Sequence, residues 1–68
     1  MNYKDIEKLV DGKEFPLMGK NEYGECVLLE RGEDENGRFY RTTVAQHNDW
    51  CRINTYYENG SIDETYEK

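Results

Sequence analysis

The chain has 68 residues, with 15 acidic and 9 basic side chains and a net charge of −6; free nucleic acid is a poor partner for it, because phosphate neutralisation needs clustered Lys and Arg. Its length makes one domain, residues 1–68, whose core supplies only about 3–5 kcal/mol and leaves little room for a deep, dry catalytic pocket. An apolar run of about 18 residues is missing, as is an apolar leader core, which excludes a transmembrane helix and predicts the cytoplasm of a bacterium or of a phage-infected host cell.

Asn2 begins the first element. It caps a helix, with Asp5 three residues on as the second half of a capping box. Tyr3, Ile6, Leu9 and Val10 recur at helical spacing, and Gly12 is a stop, so one amphipathic helix is predicted over residues 2–11. A helix this short cannot hold its shape alone in water and must dock. Phe15-Pro16-Leu17-Met18 follows as an edge strand over 14–18, since Pro16 has no N–H to give a central ladder. Gly19 to Gly24 reads as a turn, 25–31 as a strand, and Gly32 to Gly37 as an acidic loop closed by Asn36-Gly37. Residues 38–47 have strong β composition. Asn48-Asp49 is a tight turn, 50–57 and 61–67 are strands, and Asn59-Gly60 between them suits a two-residue type I′ turn. The predicted class is α+β, with the helix packed on an antiparallel meander of four to five strands.

Two-residue turns fix a register. Tyr57 falls opposite Ile62, Val44 opposite Ile53 and Leu29 opposite Val44. One face is then Val27, Leu29, Tyr40, Val44, Cys51, Ile53, Tyr57, Ile62 and Tyr66, taken as the inward one; if the helix covers the opposite face, the two sets exchange roles. All three hairpins agree on that set, as expected of a foldable chain.

The outward face becomes Cys26, Leu28, Phe39, Arg41, Thr43, Ala45, Trp50, Arg52, Asn54, Tyr56, Asp63 and Thr65. Phe39, Trp50 and Tyr56 interleaved with Arg41 and Arg52 have the composition of interface hot spots. The plainer reading is cross-strand packing of the same groups on one another. Glu30, Glu33, Asp34 and Glu35 form the densest acidic cluster, and residues 1–37 hold ten acids against five bases. Such a cluster mimics nucleic-acid phosphates or is simply a solvated loop. His47 with Asn48, Asp49 and Cys51 supplies too few convergent ligands for a metal. Cys26 and Cys51 fall on opposite faces in this register and are expected to be free thiols. No cofactor is expected.

The expected function is a non-enzymatic protein-binding domain. The acidic cluster steers it toward a basic, nucleic-acid-binding protein, and Trp50, Arg52, Tyr56, Arg41 and Phe39 make the contact. In size, charge and β content the chain is similar to small phage-encoded inhibitors of bacterial defence, including anti-CRISPR proteins; that similarity implies an inhibitor, with no direct nucleic-acid or membrane binding. Two alternatives stand beside it. One is a homo-oligomer that binds or sequesters a nucleotide between Arg41, Arg52, Trp50 and Tyr56. The other is a self-assembly domain, such as a homodimer, whose two-sided sheet serves only to associate.

Overall fold

The computed structural model describes residues 1–46 and 49–68, and it is an α+β fold of one short helix and a five-stranded antiparallel sheet. Helix α1 spans Tyr3–Leu9. Its capping box is complete: the Asn2 side-chain oxygen accepts from the Asp5 N–H at 3.0 Å, and an Asp5 carboxylate oxygen accepts from the Asn2 N–H at 3.2 Å. Tyr3 and Ile6 on α1, with Val10 just after it, are buried. Leu9, grouped with them by its spacing, is exposed.

The strands are β1 Leu17–Lys20, β2 Cys26–Asp34, β3 Gly37–Ala45, β4 Cys51–Tyr57 and β5 Ile62–Glu67, paired in that order as a meander. The first strand thus starts after Pro16 rather than at residue 14, and it takes in Gly19 and Lys20 from the predicted turn. Asn21 organises the β1–β2 connection: its side-chain oxygen accepts from the N–H groups of Tyr23 and Glu25 at 2.9 and 3.0 Å. The predicted acidic loop is mostly strand. Glu33 and Asp34 belong to β2, and the turn is Glu35-Asn36 rather than Asn36-Gly37, with Asp34 paired to Gly37. An Asp34 carboxylate oxygen accepts from the Asn36 N–H at 2.8 Å and so holds the turn that way. The shift is two residues, so β2 and β3 keep the predicted faces.

The other two hairpins differ by one residue each. Tyr56, not Tyr57, lies opposite Ile62. The Tyr57 N–H donates to the Ser61 carbonyl at 2.9 Å, so the loop is Glu58-Asn59-Gly60, with Gly60 at φ 98. A three-residue loop ending in a left-handed glycine is the other hairpin solution that Asn-Gly permits. Between β3 and β4, the Gln46 N–H donates to the Trp50 carbonyl at 2.6 Å, and Val44 lies opposite Arg52 rather than Ile53. Three residues, 47–49, separate that pair. The predicted turn residue Asn48 and the predicted turn-flanking His47 lie outside the described residues.

A one-residue slip moves every side chain of a strand to the other face. Here two slips occur in succession, one on each side of β4. They cancel for β5 and leave β4 alone inverted. Cys51, Ile53 and Tyr57, predicted inward, face away from α1. Arg52, Asn54 and Tyr56, predicted outward, lie on the helix side, opposite Val44, Thr42 and Tyr40. Val27, Leu29, Tyr40, Val44, Ile62 and Tyr66 are on the helix side as predicted.

The core lies between α1 and the middle of the sheet. Tyr40 is its centre, with its ring 4.7 Å from that of Tyr3 and 5.8 Å from that of Phe15. Ile6, only 2% exposed, is the most deeply buried side chain, and Leu17, Leu29 and Tyr56 close the cluster. The far side of the sheet holds a smaller cluster of its own. There the Phe39 ring meets Tyr57 edge-on at 5.7 Å. It also lies over Gly32, where an added Cβ would come within 2.7 Å of it.

Candidate functional site

The predicted contact face is divided between the two sides of the sheet. Phe39 and Arg41 stay on the far side and pack on each other, with the guanidinium carbon 4.5 Å from the ring centre. Arg41 Nε also donates to the buried Thr55 hydroxyl at 3.1 Å. These two residues therefore have partners within the sheet. Arg52 and Tyr56 are on the helix side. Trp50 lies just before β4; it is 41% exposed, and the Lys68 ammonium approaches its ring at 5.8 Å. Arg41 and Arg52 occupy opposite faces, so one copy of the chain cannot clamp a single ligand between them.

The acidic cluster sits at the other end of the molecule. The β2–β3 turn and the β3–β4 connection are at opposite ends of β3, so the structure does not bring Glu30, Glu33, Asp34 and Glu35 beside Trp50. Glu30 is cross-strand from Arg41, and Glu33 from Arg38. Opposite charges so placed are a common stabilising pair in sheets. Asp34 accepts from the Tyr57 hydroxyl at 2.8 Å, which raises the Tyr57 pKa, since the hydrogen bond and then the cost of burial both favour the protonated phenol. Three of the four acids thus have an internal structural context.

Cys26 and Cys51 are free, and they share the far face rather than opposite faces. Cys51 is paired with Ala45, and Cys26 flanks Ala45 from the other side, because Val27 pairs with Val44. The inversion of β4 is the cause. One strand still separates the two thiols, a Cα separation of about 9.5 Å, beyond the reach of a disulfide.

A groove lies on the helix side, and the sequence reading did not anticipate it. It is about 600 Å³ in volume, within the range of roughly 300–1,000 Å³ that ligand sites occupy. Ile6, Leu9 and Val10 form one wall, while Leu17, Val27 and Val44 contribute to the floor. Arg52 and Asn54 also line it. Arg52 Nε and Asn54 Oδ1 are buried and make no hydrogen bond. Native proteins leave few buried polar atoms without a partner, and each such atom costs stability. Lys13 and Lys20 also line the groove, and no Asp or Glu does among the described residues. In a chain with 15 acids and 9 bases, that local balance is reversed. The missed signal was the register: with β4 shifted by one residue against both neighbours, the same alternation argument puts Arg52 and Asn54 on the helix side of the sheet.

Beyond the groove, β5 is exposed along its whole length. Ile62 and Tyr66 on its helix side are 52% and 55% exposed. They are cross-strand from Tyr56 and Arg52 respectively. The Tyr66 hydroxyl donates to Glu64 at 3.0 Å, and that bond raises its pKa. Among the described residues no helix is long and apolar enough to cross a membrane. Comparison with family models, with curated proteins and with solved structures finds no match.

Proposed function

We propose that the chain is a non-enzymatic binding protein that acts in the cytoplasm by covering part of a protein partner, in the manner of an inhibitor. The contact surface is the helix side of β4 and β5: Trp50, Arg52, Tyr56, Ile62 and Tyr66. The observation that carries this reading is that Trp50, Ile62 and Tyr66 are all substantially exposed on that side, next to an arginine. Exposed aromatic and apolar side chains grouped with polar ones are a usual mark of an interaction site on a small protein, and Tyr, Trp and Arg are the residues that anchor one. The net charge of −6 and the acidic end of β2 favour a basic partner, such as a nucleic-acid-binding protein, through long-range steering.

The test compares the wild-type chain with a Trp50→Ala/Tyr66→Ala double variant as bait in lysate of the encoding or host cell, at low and high salt. Both side chains are exposed, so the variant keeps its fold. The expected result is a basic protein retained by the wild type at low salt, and depleted by the double substitution and by high salt. Retention of nothing at either salt, or equal retention by the variant, removes the proposal.

A further inference from the structure

We propose that the helix-side groove takes the C-terminal residue of the protein partner, when that residue is apolar. This deepens the binding reading above and rests on its premise that the partner is a protein. Three features of the groove select that ligand. Its walls and floor are aliphatic and suit an apolar side chain. Its cationic lining, Lys13, Lys20 and Arg52 with no described acid among them, suits a carboxylate. Arg52 and Asn54 also line it, and Arg52 Nε and Asn54 Oδ1, covered by the surrounding protein, make no hydrogen bond, so both side chains gain by turning toward a ligand that supplies a partner.

The last pair is the most selective. Arg52 and Asn54 are two residues apart on β4, so their side chains leave the strand on the same face as neighbours. A ligand toward which both side chains turn presents an acceptor and an N–H donor close together. A fatty acid offers the carboxylate and the apolar body but no donor. A nucleotide offers charge and donors but no aliphatic body. A peptide's last residue carries all three: a carboxylate for Arg52, a backbone N–H for Asn54, and a side chain for the wall built by Ile6, Val10 and Leu17. An arginine–carboxylate hydrogen bond in a partly buried site is also among the stronger polar contacts available to a short ligand.

The test uses the full chain and fluorescence anisotropy of labelled Gly/Ser hexapeptides ending in Leu, Val or Phe. Each is made as the free acid and as the C-terminal amide, which leaves the protein untouched. The expected result is saturable binding of at least one free-acid peptide, weakened tenfold or more by amidation and to a similar extent by Arg52→Gln. Decanoate is the competitor that distinguishes a peptide terminus from any carboxylate with an apolar tail, and it is expected to displace the peptide poorly. Absence of binding by all three acids, equal affinity for acid and amide, or displacement by decanoate at concentrations matching the unlabelled peptide overturns the proposal. In each of those cases the bait experiment with Trp50→Ala/Tyr66→Ala still reports on the broader reading.

Discussion

Asn54→Val is expected to make the protein more stable and a poorer binder. Asn54 lies mid-strand on the helix side of β4, between Thr42 and Glu64 across the ladders. Its Oδ1 is buried without a donor. An unpaired buried acceptor costs about 1–3 kcal/mol, and exchange for an apolar group of similar shape removes that cost. Valine adds up to about 1 kcal/mol of strand preference over asparagine. Allowing for imperfect fit of the new methyl groups, the net gain is about 1–2 kcal/mol, a large fraction of the roughly 3–5 kcal/mol that a core of this size supplies. For a domain of this length each kcal/mol raises Tm by about 4–8 °C. Thermal melts followed by circular dichroism read the gain, and the anisotropy assay reads the accompanying loss of the free-acid peptide, expected to be tenfold or more. A Tm that stays level or falls refutes the reasoning, because it means Oδ1 already has a partner and the groove has no polar vacancy for a ligand to fill.

Ile6→Ala removes most of the deepest side chain in the core, at a cost of about 2–5 kcal/mol, so the variant is expected to be largely unfolded at 25 °C and to lose its cooperative melt; a melt like that of the wild type contradicts the placement of α1. Three tyrosines carry raised pKa values: Tyr3 chiefly through burial, Tyr57 through its bond to Asp34 and Tyr66 through its bond to Glu64. A phenol whose folded pKa exceeds its unfolded value of 10.0 contributes stability that is fully present below that value and lost as pH rises through the folded one. The urea midpoint is therefore expected to hold up to about pH 9 and fall above pH 10, with a shallower fall in Tyr57→Phe; a midpoint that does not respond to alkali contradicts it. Both thiols face away from α1, so a maleimide is expected to label Cys26 rapidly and Cys51 more slowly in the native protein. Labelling of Cys51 only in denaturant would restore the register in which it is a core residue.

Most of the fold was legible because its signals are local. The capping box of Asn2 and Asp5, the spacing of Tyr3, Ile6 and Val10, and the β-rich runs each act within one element. The orientation of β4 was not legible, and the reason is specific. Asn59-Gly60 suits both a two-residue and a three-residue loop, and the two differ by one residue of register. The alternation within β4 does not break the tie, because both sides are mixed: Cys51, Ile53, Thr55 and Tyr57 against Arg52, Asn54 and Tyr56. The first set resembles a core. It lies instead on the far side, where Tyr57 is only 6% exposed against Phe39 and bonded to Asp34. The sheet therefore has a second small cluster on a face with no helix over it. Of the candidate contact residues, Arg52 and Tyr56 remain on one surface with Trp50, while Phe39 and Arg41 are absorbed into that far cluster.

The inversion of β4 also bears on why the groove exists. A chain selected only for stability would be expected to place Ile53 and Tyr57 beneath α1, where the apolar area they bury would extend the main core. Arg52 and Asn54 lie on that side of the sheet instead, with buried polar atoms unpaired beside a small core. Departures from the local rules of packing are expected mainly where a site needs them, and exchange of stability for a binding or catalytic arrangement is the common form they take. A bound group that gives Arg52 an acceptor and Asn54 a donor would recover the cost that the free protein bears. Ligand and fold are then linked. Any molecule that fills the groove correctly must also raise the melting temperature, by an amount set by its concentration relative to its Kd, and a ligand that binds elsewhere on the helix side would raise it without sensitivity to Asn54→Val.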